Sequence, residues 1–186
     1  MLNIRKQKDI HMFEEEDDEE MRDPRSLPIY KKGEEIYDLT RQVADLIPED
    51  NEMLESTKGF MLEDASMICA KIAGAEGGDI YDIRMECAAI IRKSARDLSL
   101  HVHSLRTFGF KEVHYYQLIR DAIEEFRLLF IDWVDSFDTS NYYIDRWGLF
   151  NPPGVGPFDK DPDEDIPFDP SDYFELGGDD DDDDDD

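Results

Sequence analysis

The chain has 186 residues, 40% of them apolar and 37% charged, with a formal net charge of −28. That length accommodates one domain with tails. The charge argues against unaided binding to DNA or RNA, because affinity for phosphate backbones comes mainly from Lys and Arg displacing counterions; a basic protein surface is the expected partner instead.

The charge is segregated. Residues 1–29 carry 5 basic and 9 acidic side chains, residues 30–138 carry 13 and 22, and residues 139–186 carry 2 and 17. Residues 1–27 read as a disordered acidic arm, since the block Glu14–Glu20 repels itself and has nothing to bury. Met1–Phe13 has no continuous apolar stretch of the kind a signal peptide needs, and no run approaches the ~18 apolar residues of a membrane span. The expectation is a soluble, cytoplasmic protein with no membrane partner. Cys69 and Cys87 are the only two cysteines, too few for a disulfide scaffold, and both read as small buried hydrophobes.

The first predicted helix covers about 28–47, with Ile36, Leu39, Val43, Leu46 and Ile47 along one face and Pro48 as its stop. The second covers about 51–73. Asp50 or Asn51 can cap it, and Leu54, Met61, Ala65, Ile68 and Ile72 form its stripe. Phe60 and Met67 lie off that stripe and predict a second contact. Gly74, Gly77 and Gly78 are expected to end the helix by adopting left-handed geometry.

The third predicted helix covers about 80–108, with Asp79 as its expected cap and Gly109 as its terminator. Ile83, Cys87, Ile90, Ser94, Leu98, Leu105 and Phe108 mark one seam; Ala88, Ile91, Ala95 and Val102 mark a second. The fourth covers about 112–138, where Tyr116, Ile119, Ile123, Phe126, Phe130, Trp133 and Phe137 form an aromatic seam. The run Leu128–Ile131 is apolar on every side, which predicts burial all round. Four helices on short connections predict an all-α, antiparallel up-down-up-down bundle over 28–138. The apolar surplus on the fourth helix predicts self-association, with Leu129 and Trp133 near the contact, or a docked tail.

Residues 139–186 read as a Pro/Gly/Asp-rich acidic tail. Pro157-Phe158-Asp159 recurs as Pro167-Phe168-Asp169, Tyr173-Phe174-Glu175-Leu176 follows, and eight aspartates close the chain. Phe158, Phe168, Tyr173 and Phe174, spaced in acidic surroundings, resemble short linear motifs that dock a basic groove with an apolar centre.

The search for chemistry finds no catalytic constellation, and the chain reads as a non-enzyme. No Glu-x-x-His spacing occurs, Glu112 and His114 fall on different helix faces, and so do His101 and His103. Ser94 has no partner base, and Gly74–Gly78 lacks the lysine and preceding strand of a phosphate loop. No metal or cofactor is expected; the mobile aspartate run lacks the fixed geometry of a tight Ca²⁺ site. One basic cluster stands out, Arg92, Lys93 and Arg96 on the third helix. It reads as a nucleic-acid patch or, more commonly, as the partner of acids on a neighbouring helix or subunit.

Two stretches carry a family likeness. Ile90-Ile91-Arg92-Lys93-Ser94-Ala95-Arg96-Asp97-Leu98 is similar to Ile-Ala-x-Gly-Ser-x-x-Glu-Leu, matching at Ile90, Ser94 and Leu98, and Phe108-Gly109-Phe110 is similar to a Leu-Gly-Tyr helix end. Glu63 to Gly77 agrees with the family's second-helix ending at Ile68, Ile72, Ala73, Glu76 and Gly77, across a two-residue insertion. On these residues, about 28–138 resembles the bacterial four-helix-bundle proteins known from ribosomal RNA intervening sequences and as accessory proteins of diversity-generating retroelements. The resemblance implies a four-helix bundle that assembles into homo-oligomeric rings, commonly pentamers. It also implies an alternative role as an adaptor beside a nucleic-acid enzyme such as a reverse transcriptase. In this acidic chain, nucleic acid would be reached only through a basic partner. The leading expectation is a non-enzymatic assembly or protein-binding module whose acidic tail docks a basic protein.

Overall fold

The computed structural model describes residues 23–162 and Glu164. The expected N-terminal arm lies outside the described residues up to position 22. A short 3-10 turn, Pro24–Ser26, leads in, with the Asp23 carboxylate accepting from the Arg25 N–H at 3.0 Å. Four α-helices follow: α1 (Pro28–Ala44), α2 (Glu52–Glu76), α3 (Tyr81–Thr107) and α4 (Tyr116–Asp135). No strand occurs among the described residues. The all-helical class and all four predicted helices are therefore present.

The helix ends show why sequence boundaries drift. Pro28 starts α1, where a missing N–H costs nothing. The helix gives way to turns at Asp45, ahead of Pro48. Asn51 caps α2, its side-chain oxygen accepting from Met53 and Leu54, as expected. The helix then runs past Gly74 to Glu76, and Gly77 keeps a right-handed φ of −76°. Left-handed termination was the wrong expectation there; it operates at Gly109, φ +83°, after α3. Asp79 does not cap α3. The carbonyl of Asn141, far along the chain, accepts the Tyr81 N–H at 2.8 Å, which leaves Asp79 free to take Arg84. A 3-10 turn, Val113–Tyr115, replaces the expected first turn of the fourth helix.

α1 packs on α2 and α4, and α3 packs on the same two, with α2 and α3 the most closely joined pair. Contacts at their ends fix the directions. Asn51 at the start of α2 donates to the Phe108 carbonyl at the end of α3, while Glu76 at the end of α2 meets Arg84 in the opening turns of α3. The predicted stripe of α2 is wholly buried, from Leu54 to Ile72. Both seams of α3 contribute to the core through Cys87, Ile91, Ser94, Ala95, Leu98, Val102 and Leu105, whereas Ile83 is exposed. Gly33 lets α1 approach α2 closely, because a Cβ there would lie 3.1 Å from the Cys69 Sγ. Burial among Glu34 and Asp38 raises the Cys69 thiol pKa to about 11, and burial also pushes the Cys87 thiol up. Tyr116 is fully buried, and its hydroxyl donates to the Leu98 carbonyl.

Three expectations about exposed positions fail. Phe60 is exposed and merely stacks at 6.5 Å on the His101 ring. Leu128 is 58% exposed and Ile131 is also exposed, because one side of α4 is never covered by another described element. Residues 139–162 do not form a loose tail. Ile144 is buried, the Tyr143 N–H donates to Asp82 in the first turn of α3, and the Ile144 N–H donates to Asp161. Polar side chains, which a composition-based reading counts as solvated, tie the segment to the bundle.

The ends of three helices converge on one carboxylate. Glu76 Oε1 accepts from Arg84 Nη2 at 2.7 Å and from Trp133 Nε1 at 2.8 Å. Arg84 also pairs with Asp79 at 2.6 Å and lies over the Phe137 ring, 4.2 Å from its centroid. Removing one member strands the others in a site that water barely reaches. Glu76→Ala should lower stability by about 2–4 kcal/mol in urea unfolding. Glu76→Gln, which keeps an acceptor for Trp133, should lose less.

Candidate functional site

The α3–α4 pair meets less closely than the other neighbours. Side-chain size explains the opening. Ala95 and Ser99 are small where α3 faces α4, and the opposing Ile123, Phe126 and Phe130 do not fill the space they leave. The result is a groove of about 300 Å³ with a largely apolar floor. Arg92, Arg96 and Leu100 stand on its α3 rim, and Glu124 and Arg127 on its α4 rim. The four-residue spacings Arg92–Arg96 and Ile123–Arg127 place each pair on one helix face. Three arginines against one glutamate make this a locally basic rim on a strongly acidic chain.

The predicted basic cluster is thereby split. Arg92 and Arg96 are exposed at the groove, and Arg92 has no ion pair among the described residues. Lys93 turns to the other side of α3 and pairs with Asp97 at 2.8 Å. Arg96 also reaches Asp97, at 3.3 Å. Lys93 foremost, then Arg96, holds the Asp97 carboxyl below the usual carboxylate range. These acids lie on the same helix, not on a neighbour as expected. Arg127, which pairs with Glu124 at 3.0 Å, escaped the sequence reading because it has no basic neighbour in the chain. Its spacing from Ile123 was the available signal.

Of the two predicted contact residues, Trp133 is a correction: it is 8% exposed, inserted between Phe130 and Phe137 with its indole N–H on Glu76. An aromatic seam wide enough to suggest an outer contact is consumed by the interior. Leu129 is half-buried, one turn beyond Glu125, whose carboxylate takes Lys32 of α1 at 2.7 Å. It therefore sits on the α1 side, away from the groove. Phe158 is 96% exposed in the ordered 139–162 segment; Phe168, Tyr173 and Phe174 lie outside the described residues.

A second, polar cleft of about 430 Å³ separates α2 from α3, lined by Phe60, Glu63, Asp64, Lys93, Asp97 and His101. Four of its polar groups are paired: His101 Nε2 lies 2.9 Å from Asp64 Oδ2, and Lys93 holds Asp97. Among the described residues, no three His, Cys, Asp or Glu side chains come together as a metal site, and no helix is long and apolar enough to cross a membrane.

The 139–162 segment is organised by Asp145. Its two carboxylate oxygens accept from the N–H groups of Trp147 (2.8 Å), Leu149 (2.7 Å) and Phe150 (2.9 Å). Burial acts to raise the Asp145 pKa, but the N–H groups of Phe150, Leu149, Trp147 and Gly148 together hold it below the usual carboxylate range. The turn presents Trp147, 91% exposed, beside the exposed Leu149. No family model, curated protein or solved structure matches this chain.

A carboxylate whose pKa is depressed on folding stabilises the fold above its unfolded value, and that contribution is lost as pH falls through the folded value. The turn should therefore hold at neutral pH and loosen in acid. In Asp145→Ala at pH 7, amide hydrogen exchange at Leu149 and Phe150 should accelerate about tenfold or more, since two charge-assisted bonds are lost. Exchange in the α2 and α3 interiors should stay unchanged.

Proposed function

We propose that this chain is a non-enzymatic protein-binding and assembly module, and that its working surface is the α3–α4 groove. The observation carrying this reading is the combination of apolar floor and arginine rim on a chain of net charge −28. A long polyanion meets the repulsion of the whole molecule. A short polypeptide with aromatic anchors and flanking carboxylates gains at close range from the Arg92, Arg96 and Arg127 guanidiniums, which suit bidentate carboxylate pairing. Each ring seated on the floor contributes roughly 1.5–3 kcal/mol if fully buried. The groove thus selects acidic segments that carry an aromatic residue.

Self-association belongs to the same proposal. Leu128 and Ile131, three residues apart on the uncovered side of α4, favour it, as does the likeness to ring-forming bundles. Light scattering of the full chain at micromolar concentration should report a multiple of 21.7 kDa. A mass at the monomer value would remove this part of the proposal.

A photo-reactive residue in place of Leu100, on the groove rim, tests the binding role directly. The adduct should map to a polypeptide segment containing Asp or Glu and an aromatic residue. Reversing two rim charges with Arg92→Glu and Arg96→Glu should cut the yield about fivefold or more. An adduct on a basic segment, or on RNA, would defeat the reading.

A further inference from the structure

We infer that the groove's resident occupant is the chain's own C-terminal segment, seated in cis through Tyr173 and Phe174; the inference rests on the reading of the groove proposed above. Three observations on the page lead to it.

The first is charge. Residues 165–186 carry twelve acidic side chains and no Lys or Arg. The groove rim is a cluster of arginines on an otherwise acidic molecule, and its Arg92 has no ion pair among the described residues. The chain's other acidic block, Glu14–Glu20, has a single aromatic residue, Phe13, beside it.

The second is anchor chemistry. Tyr173 and Phe174 sit between Asp172 and Glu175, with Leu176 next. This order places rings for an apolar floor directly beside carboxylates for a basic rim.

The third is reach. The ordered segment is fastened to the first turn of α3, where Asp82 takes the Tyr143 N–H and the adjoining Ile144 N–H goes to Asp161. From Asp82 to Arg96 the helix rises about 21 Å at ~1.5 Å per residue. Beyond Glu164, Phe168 is four residues on and reaches at most about 14 Å, whereas Phe174 is ten residues on and reaches about 35 Å. For a chain leaving at the level of Asp82, Phe168 falls short of the groove centre, whereas Tyr173 and Phe174 span the distance. Attachment through so short a connection gives an effective concentration of the order of millimolar, which outcompetes a second copy at micromolar protein. An external acidic segment must then displace the tail before it binds.

A synthetic fluorescein-labelled peptide of residues 165–186 tests this on full-length protein. The Tyr173→Ser, Phe174→Ser double variant, with its own anchors removed, should bind the peptide. The unsubstituted chain should bind on the order of 100-fold more weakly, for a peptide Kd of roughly 10 μM against a millimolar effective concentration. Adding Arg92→Glu and Arg96→Glu to the double variant should abolish the binding. Equal affinity for both proteins, lost on the arginine substitutions, would overturn cis occupancy while leaving the groove reading intact. Weak binding by the unsubstituted chain alone, with sedimentation showing an assembly that the Tyr173→Ser, Phe174→Ser variant loses, would also overturn it and make a second copy the occupant. Binding indifferent to the arginine substitutions, or absent from both proteins with helical circular dichroism unchanged, would overturn the groove reading itself.

Discussion

A single carboxylate at the end of α2 holds together the helices that define the candidate site. Glu76 accepts from Arg84 of α3 and Trp133 of α4, and Arg84 is sandwiched further by Asp79 and the Phe137 ring. These bonds share a site that is almost closed to water, so each is strengthened by low local dielectric and each depends on the others. About four helix turns further along α3, Tyr116 of α4 donates to the Leu98 carbonyl and forms a second fastening. Between the two fastenings Ala95, with Ser99 just past the second, faces Ile123, Phe126 and Phe130 across the groove. The opening is a gap held at two points rather than a seam that failed to close.

The same network accounts for the ordered segment after α4. Arg84 occupies Asp79, and the role of satisfying the first N–H of α3 passes to the Asn141 carbonyl. A helix end must find partners for its free N–H groups, so the chain leaving α4 is drawn back over the start of α3. Asp82, favoured in the first turn by the helix dipole, then takes the Tyr143 N–H. The Asp145 turn and the exposed Trp147 follow from that anchorage, and so does the point from which residues beyond 164 depart.

Electrostatics divides the surface into two regimes. Several basic side chains are spent on nearby acids: Lys32 on Glu35 and Glu125, Lys93 on Asp97, Arg84 on Glu76 and Asp79. The exposed pairs among them, such as Lys93–Asp97, contribute little to stability, since water and salt screen them, in contrast to the sheltered Arg84–Glu76 pair. Arg96 and Arg127 of the groove rim have such pairs too, so the rim's basic character rests on Arg92, which has no ion pair among the described residues, and on the excess of arginine along it. Long-range repulsion and short-range attraction therefore act on different ligands, which is the physical basis for favouring a short acidic segment over a polyanion.

Much of the bundle was legible from the sequence alone. Apolar residues spaced three and four apart marked every helix, and Ile68, Ile72, Ser94 and Leu98, on which the resemblance to four-helix-bundle proteins was drawn, are core positions that report packing and nothing of a site. Periodicity also identified the α3 arginines. It did not separate Arg92 and Arg96 from Lys93, because adjacent helix residues point about 100° apart and only the neighbouring helices decide what each one faces. The four-residue step from Ile123 to Arg127 was there to be read but did not say what that face borders, and nothing local foretold that Trp133 turns inward to a carboxylate 57 residues away. Composition misread 139–162 for the same reason: Asn141, Asp145 and Asp161 look like solvated residues until the Tyr81 N–H of α3 finds the Asn141 carbonyl and the segment's own N–H groups find the two carboxylates. What a residue sequence determines by itself is the local period of burial. Which helices lie close, which lie apart, and therefore where a groove opens and which charges border it, depend on side-chain sizes meeting across distant segments, and only the tertiary structure decides them.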